Sequence, residues 1–385
     1  MSKGVPAGQG IFMVDINVLK ADYLKILREV EQLRAVKNQI KGKPTAEELA
    51  KAKKLKEELK AKEKLLKTAE TACQQAILGE RNTPAPDVPA GENDKDNVVI
   101  KTVGEIPKFD FTPKDHLAIG ESLDIIDVKK AGVISGTRFG YFKGLGAELE
   151  LALMYYAFHK LTKLGFIGMI PPALIKTDIE AKMGYTTGKD LGGDYYLLPE
   201  DNLALIASSE HSVVPYHVGE TIDSKKLPLK YVNFSACFRR EAGTYGQDTR
   251  GLFRVHQFNK VEMNVFTAPD DKISDEMCQE LLAIQEGIIT DLGLPYQVVK
   301  NCTGDLPRPN RRMYDINAWF PGQNRYREIT SCSNCTDYQA KRLGIKNVHI
   351  LNATAVSDRF VLAIIENYQK ADGTFEIPKI LLPLL

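Results

Sequence analysis

The chain has 385 residues, with 51 lysines and arginines against 50 aspartates and glutamates. This length exceeds one average domain and suits two, and the near-zero net charge excludes a chain that binds polyanions over its whole surface. There is no run of 18 apolar residues, and the start lacks the charged-then-apolar pattern of a signal peptide, so we expect no membrane span and a cytoplasmic location.

Two segments with heptad spacing follow near the N-terminus. The first places its seam at Leu19, Tyr23, Ile26, Val30, Leu33, Lys37 and Ile40. The second places its seam at Ala52, Leu55, Leu59, Lys62, Leu66, Ala69, Cys73 and Ala76. A short turn separates them, and Thr45 with Glu48 forms a capping box at the start of the second. Each narrow apolar stripe can be buried only against the other, so residues 1–80 are predicted to form an antiparallel helical hairpin.

The basic surplus of the chain is local to this hairpin. Residues 19–70 carry 15 basic and 9 acidic side chains. Lysines that lie off the seam can neutralise phosphates, among them Lys53, Lys54, Lys56 and Lys60. Helices of this length reach about 40 Å, which is the scale of an RNA. An oligomerisation coiled coil would show the same spacing.

A second domain follows a linker. Residues 81–97 replace periodicity with prolines, glycines and charges, which predicts a linker before a domain at 98–385. Cys332 and Cys335 form a CxxC in that domain, but no second ligand pair accompanies it. A closed zinc site needs four ligands, so no zinc is expected, and the six cysteines are expected to be reduced thiols.

The most informative stretch is residues 236–266, with two alternating segments around a loop rich in glycine and basic residues. The alternation predicts a long β-hairpin. Arg239 and Glu241 are expected on the entering strand, side by side on one face, and Arg254 and Glu262 on the leaving strand. A surface hairpin with an ion-pair ladder is the alternative.

The strings FRREAG and HQFNKVE in this stretch resemble motif 2 of the class II aminoacyl-tRNA synthetases, in the form carried by seryl-tRNA synthetases. FIGMIPP resembles motif 1, and NVHILNATAVSDRFVLAIIENYQ resembles motif 3. The resemblance implies an α+β fold: a class II catalytic domain on a mixed, mainly antiparallel sheet flanked by helices, preceded by an antiparallel two-helix coiled-coil arm. It also implies a homodimer built through motif 1.

The resemblance further implies the reaction and its residues. Serine would react with ATP to give seryl-adenylate and then acylate the 3′ end of a serine tRNA whose long variable arm the hairpin binds. Whether a selenocysteine tRNA is also charged stays open. The implied serine site comprises Ser208, Ser209, Glu210, Arg239, Glu262, Asn352 and Thr354. The implied ATP site comprises Arg239, Arg240, Glu241, Val255, Phe258, Glu328, Ile329, Thr330, Ser331 and Arg359.

Within these sets, Arg239, Glu262 and Arg359 are the implied catalytic residues. Arg239 would bridge the serine carboxylate and the α-phosphate, and Arg359 would contact the γ-phosphate. Glu328 and Ser331, three apart at a strand end, would bind Mg²⁺. The loop 247–250 would meet the acceptor end of the tRNA.

Three departures from the family pattern motivate two further hypotheses. Serine stands at 208 where the family has threonine, Asn317 replaces a glutamate, and the turn before Arg359 is one residue shorter. One alternative is an impaired synthetase-like protein that binds tRNA or a partner. The other is an enzyme that passes serine to a different acceptor, which retention of the basic arm disfavours.

Overall fold

The computed structural model describes residues 16–39, 46–186, 193, 195–241 and 251–385. They belong to two compact units, Met1–Glu80 and Arg81–Leu385. The predictions for Ile40, the Thr45 capping box and the loop 247–250 lie outside the described residues.

The first unit is a pair of helices, α1 (Ile16–Gln39) and α2 (Ala46–Gly79). The two helices contact each other, and six residues cannot carry the chain back along a 24-residue helix, so they run antiparallel. Val30, Leu59 and Cys73 of the predicted seams are buried, and Arg34 pairs with Glu63 at 2.9 Å. The predicted helical pair is confirmed.

The second unit is organised on an eight-stranded sheet in the order β1-β10-β11-β12-β13-β9-β8-β4. Its strands are β1 (Val98–Val103), β4 (Ile167–Met169), β8 (Leu229–Phe238), β9 (Gln257–Thr267), β10 (Tyr296–Lys300), β11 (Arg312–Phe320), β12 (Arg325–Thr336) and β13 (His349–Ser357). All neighbours pair antiparallel except β4 with β8. This is the predicted mixed, mainly antiparallel sheet.

Two small sheets and eight helices complete the described part of this unit. The small strands are β2 (Ile126–Asp127) with β3 (Tyr141–Phe142), and β5 (Leu174–Lys176), β6 (Leu197–Leu198) and β7 (Leu203–Leu205). The helices are α3 (His116–Ser122), α4 (Val128–Ile134), α5 (Leu145–Lys163), α6 (Thr177–Met183), α7 (Glu210–Val213), α8 (Asp271–Asp291), α9 (Tyr338–Leu343) and α10 (Asp358–Asn367). The main apolar core lies between the large sheet and α5, α8 and α10.

A second, smaller apolar cluster lies at the opposite side of β9. It joins Met183 of α6, Val213 of α7 and Leu343 of α9 to Phe266 and Ile350 of the sheet. These three short helices therefore form a layer over one end of β9 and β13.

The predicted hairpin exists, but its strands end before three of the charged residues that were predicted to lie on them. β8 pairs with β9 from Leu229 opposite Phe266 to Phe238 opposite Gln257. Arg239, Glu241 and Arg254 therefore lie beyond the strands, where the sequence pattern placed them within. The physical reason is at Glu241, whose φ of 52° is left-handed and cannot continue a strand.

The segment 81–97 belongs to the second unit. The Asn82 amide donates to Arg308 O at 2.8 Å, and its side chain donates to Pro309 O and Cys335 O, each at 2.8 Å. Ala85 and Val88 pack on Leu306. The prolines and glycines of this segment thus form an ordered connection held on the second unit.

Candidate active site

One cavity of about 490 Å³ opens against β9, β12 and β13. Most of the residues implied by the resemblance line it: Ser208, Glu210, Arg239, Glu241, Val255, Phe258, Glu262, Glu328, Ile329, Thr330, Ser331, Asn352, Thr354 and Arg359. Ser209 and Arg240 do not line it. The cavity brings together side chains from stretches of the second unit that are far apart in sequence.

Glu262 lies at the floor of one end of the cavity, called here the acidic end because Glu262 and Glu210 lie there. It lies on β9, directly opposite Thr354 of β13, and is 2% exposed. Its Oε2 accepts hydrogen bonds from the hydroxyls of Ser208 and Ser209, each at 2.6 Å. Ser209 therefore acts behind the cavity wall as a partner of Glu262.

Lys260 compensates this buried charge. Its Nζ lies 3.0 Å from Glu262 Oε1 and donates to Ser208 Oγ at 2.9 Å. Burial would raise the pKa of Glu262, but Lys260 and the two serine hydroxyls outweigh it and hold that pKa below its usual value. Glu262 is thus kept ionised.

Glu210, at the start of α7, is the second carboxylate of the acidic end. It is 2% exposed, and its Oε1 accepts hydrogen bonds from Tyr185 Oη at 2.5 Å and Gln339 Nε2 at 3.1 Å. Burial first, and then the charge of Glu262, raise the pKa of Glu210. Two carboxylates and one lysine meet here, so a cationic ligand would be stabilised.

Two arginines, each stacked on a phenylalanine, form the basic side. The Arg239 guanidinium lies 5.1 Å from the centre of the Phe258 ring, and its Nε donates to Ala207 O at 3.2 Å. Arg359, the second residue of α10, lies 4.6 Å from the Phe253 ring and donates to Glu328 Oε2 at 3.1 Å. The stacking and the carbonyl contacts hold both forks in fixed orientations over the cavity.

A bulge in β12 decides which side chains face the cavity. Ile316 pairs with Thr330 and Asn317 with Glu328, so Ile329 is the extra residue. Residues three apart on a regular strand face opposite ways, but the extra residue turns Glu328 to the same side as Ser331. The pair was predicted at a strand end, whereas it lies within β12.

Known proteins resemble this chain over most of its length. The family model described as the tRNA synthetase class II core domain (G, H, P, S and T) matches residues 196–368. A serine–tRNA ligase of Treponema denticola is 42% identical over 344 residues, which cover 86% of this chain and 81% of the relative. The chain belongs to the seryl-tRNA synthetases.

Two solved structures extend this similarity to the fold. The seryl-tRNA synthetase of Pyrococcus horikoshii complexed with ATP has a TM-score of 0.84 and 35% identity, covering 96% of this chain and 91% of that one. The cytoplasmic serine–tRNA ligase of Naegleria fowleri in complex with AMP has a TM-score of 0.82 and 30% identity, covering 97% and 90%.

Some residues that line the cavity were missed from sequence. Lys260 is the most important, and its signal was its position two residues before Glu262, on the same face of a strand. Tyr185 and His211 also line the cavity, as does Phe253, on whose ring Arg359 stacks. Apart from the place of His211 next to Glu210, we find no local pattern that marks these three.

Two implied ATP residues take positions that the resemblance did not specify. The Glu241 carboxylate pairs with Arg254 at 2.8 Å, at the cavity wall. Arg240 lies outside the cavity lining, with its guanidinium 5.8 Å from the Tyr196 ring. Asn317, the departure on β11, pairs in register with Glu328 and also lies outside the lining.

The donor set at Glu328 fits the implied magnesium ion. A carboxylate and the Ser331 hydroxyl share one face, and Mg²⁺ typically takes one or two protein oxygens with substrate phosphates supplying the others. Asp315 lies opposite Ser331, and burial together with the charge of Glu328 raises its pKa well above the usual value. Within the described ranges, no group of three or more histidine, cysteine or acidic side chains is arranged for a metal.

None of the helices described is both long and apolar enough to cross a membrane.

Proposed function

We propose that the cavity activates serine with ATP and that the enzyme transfers the seryl group to the 3′ end of a serine tRNA. The observation that carries the proposal is the division of one cavity into a buried acidic end, at Glu210 and Glu262, and a basic side, at Arg239 and Arg359. To bind a zwitterionic amino acid next to a polyphosphate, one cavity must offer both an acidic and a basic region.

The acidic end would bind the side chain and the ammonium group of serine. Glu262 and Thr354, opposite each other on β9 and β13, would bond the serine hydroxyl, and Glu210 would pair with the ammonium group. Asn352 completes this wall. A site that expects a hydroxyl rejects analogues lacking it by about 10⁴ to 10⁵, because its own buried polar groups are then left unpaired.

The basic side would bring two anions together. A serine carboxylate is ionised at neutral pH, so its oxygen can attack the α-phosphorus without a general base while the bond to pyrophosphate breaks. Arg239 would contact both the carboxylate and the α-phosphate, and Arg359 the γ-phosphate. Magnesium held by Glu328 and Ser331 would supply further neutralisation of the phosphates.

The direct test is serine-dependent exchange of pyrophosphate into ATP by the purified full chain, followed by aminoacylation of a serine tRNA. Exchange with serine and its absence with alanine are expected. Folded protein without exchange would favour the impaired, tRNA- or partner-binding alternative, and exchange without tRNA charging would favour a different acceptor.

We propose that the first unit binds the tRNA through α2. Lys53, Lys54, Lys56 and Lys60 are exposed on this helix, off the buried seam. Changing all four to alanine should weaken tRNA binding and flatten its dependence on salt, by up to about one unit of slope per lysine, while pyrophosphate exchange is unchanged.

Filter binding over a series of salt concentrations measures this effect. The matched control replaces four exposed lysines of the second unit, Lys225, Lys226, Lys341 and Lys346, and should leave the slope as in the wild type. An unaltered slope in the α2 variant would reject the assignment. A selenocysteine tRNA can be compared in the same assay.

We propose that the enzyme is a homodimer formed through the motif 1 region. Leu151 and Tyr155, one turn apart on α5, are 64% and 56% exposed, and Ile167 and Ile170 at the edge strand β4 are 53% and 74% exposed. Large apolar side chains exposed together on adjoining elements mark an interface. A second copy of the chain is the occupant that the family resemblance implies.

Replacing Tyr155 and Ile170 with aspartate should convert the dimer to monomer and lower pyrophosphate exchange. Sedimentation equilibrium measures the mass, and Val218→Asp, at an exposed apolar residue elsewhere, is the control. A wild-type chain that sediments as a monomer would contradict the proposal.

We also propose a cytoplasmic location, which fits six cysteines that are all free thiols in the structure.

A further inference from the structure

We propose that Tyr185 is a positioning residue for recognition of the substrate ammonium group, acting through Glu210. The proposal rests on the proposed role of Glu210. Tyr185 lines the cavity, yet its position follows α6 and matches none of the motifs. Its one hydroxyl reaches the carboxylate that closes the acidic end.

The contacts of Glu210 define what this hydroxyl does. Tyr185 and Gln339 both donate to Oε1, at 2.5 Å and 3.1 Å. Within the described residues no donor reaches Oε2, so that oxygen is left for a ligand in the cavity. Two donors on one oxygen fix the plane of the carboxylate, which a single flexible contact would not.

The backbone and a ring stack hold Tyr185 in place. Gly184 ends α6 with a φ of 82°, and this left-handed turn directs the next residue towards the cavity. The Tyr185 ring lies parallel to the His211 ring, with centres 5.1 Å apart and an angle of 11°. His211 in turn has its Nδ1 2.7 Å from Glu180 Oε1, and both are almost fully buried. His211 and Glu180 thus anchor the tyrosine, and the tyrosine orients Glu210.

The hydrogen bond also affects ionisation. Burial and the charge of Glu262 raise the pKa of Glu210, whereas the Tyr185 hydroxyl lowers it. Burial and Glu210 itself raise the pKa of Tyr185 well above the usual value, so the phenol remains a donor. The titratable groups that face Glu210 come from four elements: Tyr185 after α6, His211 of α7, Lys260 and Glu262 of β9, and Cys335 of β12.

The test is Tyr185→Phe, which keeps the ring stack and removes one oxygen. In serine-dependent pyrophosphate exchange, KM for serine should rise about 10-fold, while kcat and KM for ATP stay as in the wild type. Glu210 binds a cation only when ionised, so serine binding is present above its pKa and lost as pH falls through it. Losing the donor raises that pKa, and the acid limb of kcat/KM for serine should move to higher pH.

A matched control and a double mutant separate positioning from packing. Tyr231→Phe removes another buried hydroxyl, which lies 2.9 Å from His217 Nε2 and does not line the cavity. This variant should change neither KM for serine nor the acid limb. In a Glu210→Gln background, Tyr185→Phe should have no further effect on KM for serine.

The outcomes are distinguishable. The inference is overturned if Tyr185→Phe leaves KM for serine unchanged. It is also overturned if KM rises while the acid limb does not move and the rise adds to the effect of Glu210→Gln. Either result leaves the proposed function intact. Wild-type protein without serine-dependent exchange overturns the proposed function and this inference with it.

Discussion

Replacing Arg239 with alanine is expected to lower the rate of serine-dependent pyrophosphate exchange on the order of 10³-fold. The reaction joins a carboxylate to a polyphosphate, and their repulsion is the main obstacle to it. The Arg239 fork adjoins the acidic end, because its Nε is bonded to the carbonyl of Ala207, the residue before Ser208. Within the described residues its other two guanidinium nitrogens have no hydrogen-bond partner, so they are available to the two anions.

The conservative variant separates charge from geometry. Arg239→Lys keeps the charge but loses the fork and the stacking on Phe258, so it should recover only a small part of the rate. Arg342→Ala is the control, since Arg342 also stacks on an aromatic ring, with its guanidinium 3.3 Å from the Tyr338 ring centre, but lies outside the cavity lining. Full activity in Arg239→Lys would contradict bidentate binding and reduce the role to a point charge.

The periodicity of the sequence predicted the helical pair and the β8–β9 hairpin because these elements depend on local patterns, whereas the rest of the large sheet was implied by the family resemblance. The seams of α1 and α2 and the alternation of β8 and β9 are repeated over many residues, so each is visible in the string itself. The hairpin ended early because one residue, Glu241, adopts a left-handed φ. A glutamate carries no signal for that conformation.

The site was predicted less evenly, for physical reasons. Which face of β12 carries Glu328 depends on the bulge at Ile329, and a bulge is a property of pairing with β11 that the β12 residues do not encode locally. The partners of Glu210 likewise come from the turn after α6 and from α9, more than 20 residues away in each direction. The family resemblance supplied the residues that we propose contact substrate, whereas the residues that position them required coordinates.

Lys260→Met is expected to lower the free energy of unfolding by about 3 to 5 kcal/mol and to abolish serine-dependent exchange. Lys260 and Glu262 are 5% and 2% exposed, so the variant leaves a carboxylate buried without its cation. Urea denaturation measures the loss. Lys230→Met, which breaks the more exposed pair between Lys230 of β8 and Glu280 of α8, should cost less than about 1 kcal/mol.

The pH dependence identifies charge as the cause of that loss. In the wild type the pKa of Glu262 is lowered, so its contribution to stability is present above its usual value of 4.5 and is lost as pH falls through the folded value. In Lys260→Met the burial of Glu262 is no longer offset by the lysine charge, so we expect its pKa to rise, with the penalty full at neutral pH and lost on acidification. The difference in unfolding free energy between the two proteins should therefore begin to narrow above pH 4.5, as pH falls through the raised pKa of the variant, and continue to narrow below pH 4.5 as the wild-type contribution is lost. The double variant Lys260→Met, Glu262→Gln should regain most of the stability without activity, whereas a deficit that persists in the double variant and at acid pH would assign the loss to packing.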